Sequence, residues 1–331
     1  MPWIPTAVPE LVRRVDPDII HLHWLRNLMT ARQIANLGSN YRTVWTIRDL
    51  APITGGCHYT HGCERYVDRC GHCPLIPRGW ARDPTYWTHT AKLNAAGLTG
   101  ITPVALSRRL AREISRSPLF AGRKITVIHP GVDASVFVPH ETRAARLALS
   151  LPEDELLVGF VAMHPFLEAR KGWRHLAEAV NILDAKGLKL RVVVTATAED
   201  ARGVGGLPNR WLAHGHVTTD HALSMLYSAC DAVVVPSTQE AFGKVAVEAL
   251  LCGTRVVGFR DTGVEDAVDH RATGYLAVHS DSRDLAAGIE WAIRERQEPG
   301  LEQKRAVIQQ RFGIDSQAEK YASLYSSLSG I

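Results

Sequence analysis

PSTQEAFGKVAVEALLCGTRVVGF, residues 236–259, decides how this 331-residue chain is read. It is preceded by the apolar run DAVVV, Asp231 to Val235, and closes in a second one, Arg255 to Phe259. Short runs that are apolar on both faces belong to strands buried in a parallel sheet. Between them, Gly243 to Cys252 carries apolar residues at Val247, Ala249, Leu250 and Leu251. It stops at Gly253, the residue type that ends helices in the left-handed conformation. Strand, turn, helix and strand in that order predict an α/β fold with parallel sheets. The turn holds Glu240, and the helix holds Glu248 about one and a half turns in from its start. In open α/β sheets ligands sit beyond the carboxyl ends of strands, where helix N-termini offer N–H groups to phosphate. A carboxylate there can accept both hydrogens of a ribose cis-diol, while the Phe242–Gly243 backbone faces anionic or sugar oxygens. Two glutamates eight residues apart are, taken alone, more often a solvated helix start. The flanking strands are what turn the spacing into a candidate site.

The alternation extends outward in both directions. In the first half, Asp18 to His23, Thr43 to Arg48, Ile101 to Leu106 and Ile125 to His129 read as strands. The Pro130-Gly131 pair interrupts them, and the polar stretch to Leu151 reads as a linker. A second block has strands at Leu156 to Val161, Leu190 to Thr195 and His214 to Val217, with a helix from His175 to Lys186. The tail, Arg311 to Leu328, reads as one amphipathic helix with Tyr321 and Leu324 on its apolar side.

Composition, 46% hydrophobic and 22% charged, is that of a globular chain with room for two ordinary cores. The opening MPWIPTAVPELV has neither a charged leader nor a long apolar core, so it does not read as a signal peptide. No apolar run nears the ~20 residues of a bilayer span. A cytoplasmic protein is the expectation. The net charge of +4 hides an asymmetry: residues 1–150 carry nineteen Lys and Arg against ten Asp and Glu, and the remainder is net acidic. Ser107 to Ser117 concentrates this charge at Arg108, Arg109, Arg112 and Arg116, around a buried stripe of Leu110 and Ile114. Such a helix suits a peripheral contact with anionic lipid at the inner membrane surface, or simply a solvated face. Nucleic acid is not an expected partner, because no recognised binding motif accompanies the charge.

Together these segments resemble the retaining, nucleotide-sugar-dependent glycosyltransferases of family 4, also called glycosyl transferases group 1. The specific pieces are PSTQEAFGKVAVEALLCGTRVV at Pro236, RKGW at Arg170, GVD at Gly131 and ATGYL at Ala272. TGGCHYTHGCERYVDRCGHCP from Thr54 resembles an exopolysaccharide or colanic-acid-like subgroup. The resemblance implies a GT-B fold, two Rossmann-like domains facing a cleft. Residues 1–145 would be the acceptor-side domain, 146–305 the nucleotide-sugar-binding domain, and 306–331 a C-terminal helix packing back toward the first. Glu248 would hold the donor ribose and Glu240 would contact donor sugar hydroxyls or the nearby phosphate. Phe242 and Gly243 would supply backbone N–H groups, and Lys171, with Arg170 beside it, would pair with the diphosphate. Thr262, after the strand ending at Phe259, takes another phosphate-side loop position. The donor would be a UDP- or GDP-linked sugar and the acceptor a glycan or lipid-linked molecule. No catalytic metal is implied, since cationic side chains and helix dipoles neutralise the leaving diphosphate.

Two departures from the family pattern stand out. Its histidine near the transferred sugar falls in the phrase that here reads WTIRDLAP, Trp45 to Pro52, and the position is Arg48. Arginine stays charged and cannot serve as a base, but it can bind phosphate or a carboxylated sugar. Glu240 and Arg48 are therefore the candidate catalytic residues. The family also opens with a strand, a glycine-rich loop and further βα units, so the first domain is expected to lack its usual opening strands. Both departures favour a second reading, a catalytically weak transferase-like binding or scaffold subunit. A sugar-nucleotide 2-epimerase and a zinc-dependent nucleic-acid module fit the motifs less well.

Cys57, Cys63, Cys70 and Cys73 fall within seventeen residues, the last two as CxxC. This spacing admits a structural zinc, with His58, His61 or His72 as a substitute ligand, or a set of reduced packing thiols. Cys230 and Cys252 sit in apolar contexts and read as core. His21 and His23 share one face of their strand, and His129 and His164 follow strands as further polar candidates.

Overall fold

The valine-rich run ahead of Pro236 becomes one of the middle strands of a six-stranded parallel sheet. The computed structural model describes residues 4–25, 28–95, 98, 100–200, 202, 210–297 and 301–329. The chain forms two units: residues 1–129 with 318–331, and residues 130–317.

In unit 1 the elements are α1 (Val8–Val15), β1 (Ile19–Leu22), α2 (Ala31–Asn40), β2 (Arg42–Ile47), α3 (Pro84–Leu93), β3 (Ile101–Ala105), α4 (Arg108–Arg116) and β4 (Thr126–Val127). The four strands pair in sequence order and all run parallel. Local chemistry sets the helix starts. Thr30 and Gln33 form a capping box on α2, and Ser107 accepts the Leu110 N–H at 3.0 Å on α4. Of the α4 arginines, Arg109 pairs with Glu113 and Arg116 with Glu64, so part of the basic stripe is drawn into carboxylate contacts. No helix among the described residues is long and apolar enough to cross a membrane.

Unit 2 contains α5 (Thr142–Ala148), β5 (Leu157–Phe160), α6 (Trp173–Ala185), β6 (Arg191–Val194), β7 (Trp211–Ala213), α7 (Asp220–Ala229), β8 (Ala232–Val235), α8 (Lys244–Leu251), β9 (Val256–Phe259), β10 (Gly274–Ala277), α9 (Ser282–Arg294) and α10 (Leu301–Phe312). The last helix, α11 (Ile314–Ser329), begins in unit 2 and continues into unit 1. The sheet order is β10-β9-β8-β5-β6-β7, so the chain winds outward in both directions from β5 and β8. Alternation along β5 explains why both faces are covered. Val158 and Phe160 pack with Leu176 and Val180 of α6 and with Leu285 and Ile289 of α9. Leu157 packs the other way, with Ala145 of α5 and Leu226 of α7.

Three expectations from the sequence need correction. The stretch read as a linker contains α5 and belongs to unit 2. It is tied there by Val138 N–H to Ser224 (3.2 Å), His140 N–H to Ser228 (3.1 Å) and the buried Arg146. The strand expected at His214 to Val217 lies earlier, at Trp211–Ala213, where it pairs with β6. The single tail helix is broken at Gly313, whose N–H bonds the Gln309 carbonyl at 2.7 Å and which bridges to Val132. Beyond that break Tyr321, Leu324, Tyr325 and Leu328 pack on Val44, Val104 and Ile128 of unit 1.

A buried ion pair anchors unit 2. The Arg146 guanidinium donates to Asp231 Oδ2 at 3.0 Å, and both side chains are under a tenth exposed. The same Asp231 oxygen accepts the Leu157 N–H at 2.7 Å, while its other oxygen meets Arg296 at 3.1 Å. Arg146 also donates to the carbonyls of Ala229, Glu153 and Glu155, so α5, β5 and the start of β8 share one guanidinium. Arg146→Ala leaves a buried carboxylate with one of its two cations and three carbonyls without their donor. It should cost about 3 kcal/mol in urea unfolding. A loss under about 1 kcal/mol would show that the pair contributes nothing net.

Candidate functional site

β5 and β8 are neighbours in the sheet, but the chain leaves them toward opposite edges, to β6 after one and to β9 after the other. That divergence opens a crevice at the carboxyl ends of the two strands, the place where doubly wound sheets bind ligands. Two loops border it: residues 161–172 after β5 and residues 236–243 after β8.

The loops meet at a glycine. Gly172 has φ +76, and a Cβ placed on it would stand 1.8 Å from the Pro236 carbonyl oxygen. Only glycine permits this approach, both for its conformation and for the space. Beside it the Thr238 N–H donates to the Arg170 carbonyl at 2.8 Å. A 3-10 turn at Ala169–Lys171 is thereby pressed against the loop that follows β8. The result is that Lys171 Nζ lies 2.8 Å from Glu240 Oε2, an oxygen that also accepts from Ser237 Oγ at 3.3 Å. The Arg170 guanidinium is 3.7 Å from the same carboxylate oxygen and pairs with Glu168 as well. Lys171 and Glu240, expected to face diphosphate and sugar respectively, here neutralise one another directly.

The turn behind Glu240 is shaped for close approach too. Gly243, with φ +86, occupies the N-cap of α8, and no side chain caps that helix. The positive end of the α8 dipole is therefore turned toward the segment that bears Glu240. A Cβ on Gly243 would lie 2.8 Å from Val264 and 3.5 Å from Glu240 Cγ, so the loop after β9 packs tightly behind the turn. Phe242 is buried, with its ring 5.7 Å from that of Phe312, which anchors the backbone it was expected to lend.

Thr262 lies in the loop after β9, where the sequence places it. Its hydroxyl donates to the Phe259 carbonyl at 2.9 Å and caps the 3-10 turn at Gly263–Asp266 by accepting the Val264 N–H. The side chain is buried and its hydroxyl is committed to the turn.

Glu248 sits in the second turn of α8 and is only 8% exposed. Its Oε2 accepts the Tyr227 hydroxyl at 2.8 Å, and Oε1 is 3.8 Å from Lys244 Nζ. Burial pushes the Glu248 carboxyl above its usual range; the Tyr227 hydroxyl and Lys244 pull it part of the way back. Burial, then the Glu248 carboxylate, raise the Tyr227 phenol well above its ordinary value. One carboxylate oxygen expected to meet a ribose is thus committed to Tyr227. Tyr227 had not been singled out from the sequence. Its signal was available, because a tyrosine on the buried stripe of α7 requires a partner for its hydroxyl.

His164, with φ +52, lies in the loop after β5 of unit 2, and most of the remaining candidates lie in unit 1. Arg48 follows β2 and stands with His23, Trp24, Asp49 and His58 around an open cleft. His21, by contrast, is absorbed into packing: Nε2 bonds Thr46 at 2.7 Å and Nδ1 bonds Tyr325 at 2.5 Å. The cysteines occupy the loop between β2 and α3. Cys70 Sγ accepts the Gly55 N–H at 3.2 Å, and burial pushes its thiol up to about 11. Burial also raises the Cys57 thiol, and Cys63 and Cys73 lie near enough to push it further. Among the described residues no three His, Cys, Asp or Glu side chains are gathered so as to hold a metal ion. A zinc on Cys57, Cys63, Cys70 and Cys73 would have to draw the thiols together. Cys230 and Cys252 are buried in unit 2, in the core.

The Glu248 environment has a measurable consequence. A carboxyl held above its unfolded value binds its proton more tightly when folded. Its contribution to stability is therefore full in acid and falls as pH rises through the carboxylate range. Glu248→Gln should melt at a higher temperature than the parent at pH 7, with the difference shrinking toward pH ~4 in a series of thermal unfolding curves. A lower melting point at pH 7 would contradict the burial argument.

Comparison with known proteins agrees with this organisation. The D-inositol 3-phosphate glycosyltransferase of Stackebrandtia nassauensis is 35% identical over 186 residues, 52% of this chain and 41% of that protein. The protein of the same description from Mycobacterium tuberculosis is 36% identical over 183 residues, 52% of this chain and 36% of its own length. The chain thus spans about two fifths of the length of these curated relatives. Among solved structures, the sucrose-phosphate synthase from Thermosynechococcus elongatus has a TM-score of 0.71 at 23% identity, covering 97% of this chain and 76% of that one. Anabaena HepE, solved in complex with UDP, has a TM-score of 0.70 at 20% identity, covering 98% and 84%. These likenesses are of fold, two parallel-sheet α/β units of the GT-B type. The model of Glycosyltransferase Family 4 matches residues 1–136. The model of Glycosyl transferases group 1 matches residues 143–311, just over half of the chain, and the chain belongs to that family.

Proposed function

We propose that the chain transfers a sugar from a nucleoside-diphosphate donor, UDP- or GDP-linked, to a glycan or lipid-linked acceptor with retention of configuration. The observation that carries this reading is the Lys171–Glu240 pair at the divergence of β5 and β8, under the uncapped N-terminus of α8. A diphosphate entering the crevice brings the negative charge that Lys171 and the helix dipole are placed to balance. It would exchange with Glu240 as the partner of Lys171, freeing a carboxylate at the turn to accept hydrogen bonds from sugar hydroxyls. Arg170, beside Lys171, adds a second cation as negative charge develops on the leaving group. Glu248, on the helix behind, retains one oxygen for a ribose hydroxyl while Tyr227 holds the other. Retention then follows from departure and attack on one face of the sugar. That requires positioning and charge stabilisation rather than a protein nucleophile. The named activities of the curated relatives, and the UDP in the HepE structure, are in keeping with such a donor.

In this reading unit 2 carries the donor and unit 1 the acceptor, with Arg48 on the acceptor side. The basic helix α4 remains the surface suited to an anionic lipid. The cysteine loop has a structural role, as a zinc site or as reduced thiols.

Two measurements test the reading. In titration calorimetry Glu248→Ala should weaken UDP or GDP binding about tenfold or more, the worth of a hydrogen bond to a charged group. Unchanged affinity for both nucleotides would remove the donor assignment. Zinc analysis of protein purified without added metal should return close to one equivalent if the four cysteines close on an ion, and a value near zero leaves them as packing thiols.

A further inference from the structure

β1 and β2 are adjacent and parallel, in register from Ile19 with Arg42 to Leu22 with Trp45. Where they end, the chain presents His23 and Trp24 after one strand and Arg48 and Asp49 after the other, and the loop that follows brings His58 against Trp24 and Asp49. They line an open cleft whose enclosed part is about 140 Å³, room for part of a sugar ring and its substituent rather than for a whole nucleotide. We infer that this cleft binds an anionic saccharide, a pyranose ring carrying a carboxylate or phosphate, with Trp24 as the ring platform and Arg48 as the anion contact.

The platform is built rather than incidental. Trp24 is 57% exposed, an unusual position for an indole, yet it is not loose. Its ring stacks on His58 at 5.4 Å with the planes 10° apart. His58 Nδ1 is held 2.9 Å from Asp49 Oδ2. Asp49 is itself buried, and its Oδ1 accepts the Ala51 N–H at 2.8 Å. A buried carboxylate thus orients an imidazole, and the imidazole supports one face of the indole. The other face is available to the C–H face of a sugar, whose partial positive charge suits the negative π surface.

The anion contact rests on charge balance. Among the described residues Arg48 makes no hydrogen bond or ion pair. The carboxylate beside it, Asp49, is already committed to His58 and Ala51. Burial, and then the nearby Arg48, lower the pKa of His23, and burial brings His21 down to about 4, so neither competes as a cation near neutral pH. A guanidinium that lines a cleft and has no counter-charge among the described residues presents a planar fork that matches carboxylate or phosphate. The choice of a sugar over another flat ring rests on the transferase reading above; the preference for an anion does not.

Ligand-observed NMR and calorimetry on the intact chain test this with four probes: methyl glucuronide, glucose 6-phosphate, neutral methyl glucoside and inorganic phosphate. At least one of the two anionic sugars should bind about tenfold more tightly than the neutral glucoside and than phosphate alone. The tighter of the two identifies the substituent. Arg48→Gln should bring the anionic sugars down to the level of the glucoside, and Trp24→Ala should weaken all three sugars by a similar factor. Both side chains are exposed, so both variants should keep the parent's melting temperature. Equal binding of charged and neutral sugars, indifference to Arg48→Gln, or phosphate binding as well as its sugar ester would overturn the inference. UDP affinity of the parent is measured in parallel. Loss of UDP binding by the parent would count against the nucleotide-sugar reading and leave this cleft standing.

Discussion

The contact between Gly172 and the Pro236 carbonyl is the constraint on which the unit 2 site depends. Two loops leave neighbouring strands in opposite directions, and nothing in the sheet itself requires them to touch. Because position 172 lacks a Cβ and accepts a left-handed conformation, the chain after β5 can lie against the chain after β8. The 3-10 turn then delivers Lys171 to Glu240, and the Thr238–Arg170 backbone bond holds the register. With any other residue there the Cβ would stand 1.8 Å from the Pro236 carbonyl oxygen and the two loops would have to move apart. The charged cluster would no longer be prearranged.

Prearrangement has an energetic logic. Lys171, Arg170, Glu168 and Glu240 form a balanced group in which charges are held close without a net field. In the proposed function a phosphate competing for the cations would displace a carboxylate rather than fill empty space, which would link anion binding to release of Glu240. Glu248 has a different cost. It is buried inside the helix packing, with Tyr227 and Lys244 compensating part of the desolvation. Natural sequences tolerate such a carboxylate where a site needs an acceptor that water cannot easily reach.

Much of the fold was legible because periodicity is local. DAVVV and RVVGF are apolar on both faces and were read as buried strands, and Gly253 as a helix stop; β8, β9 and α8 lie within a residue of those limits. Where local signals were weak the reading slipped. The polar surface of Thr142–Ala148 looked like a linker, although Ala145 and Arg146 are buried against unit 2. Trp211–Ala213 is a short edge strand that owes its existence to pairing with β6. Thr262 sat after a strand, where polar residues often face ligand, yet its hydroxyl caps a turn.

The residue types of the site were set by the sequence alone: Glu240 after a strand, Glu248 one helix later, Lys171 before a glycine, Arg48 where the family pattern has histidine. Which of them meet was decided only in three dimensions. Lys171 and Glu240 are 69 residues apart in the chain, and their 2.8 Å contact comes from the adjacency of β5 and β8. Tyr227 reaches Glu248 because α7 and α8 pack together, and Trp24 meets His58 because β1 and β2 are neighbours. Periodicity records which face of an element is buried, but it does not record which element lies opposite. Partners of buried polar groups therefore emerge only with the tertiary structure.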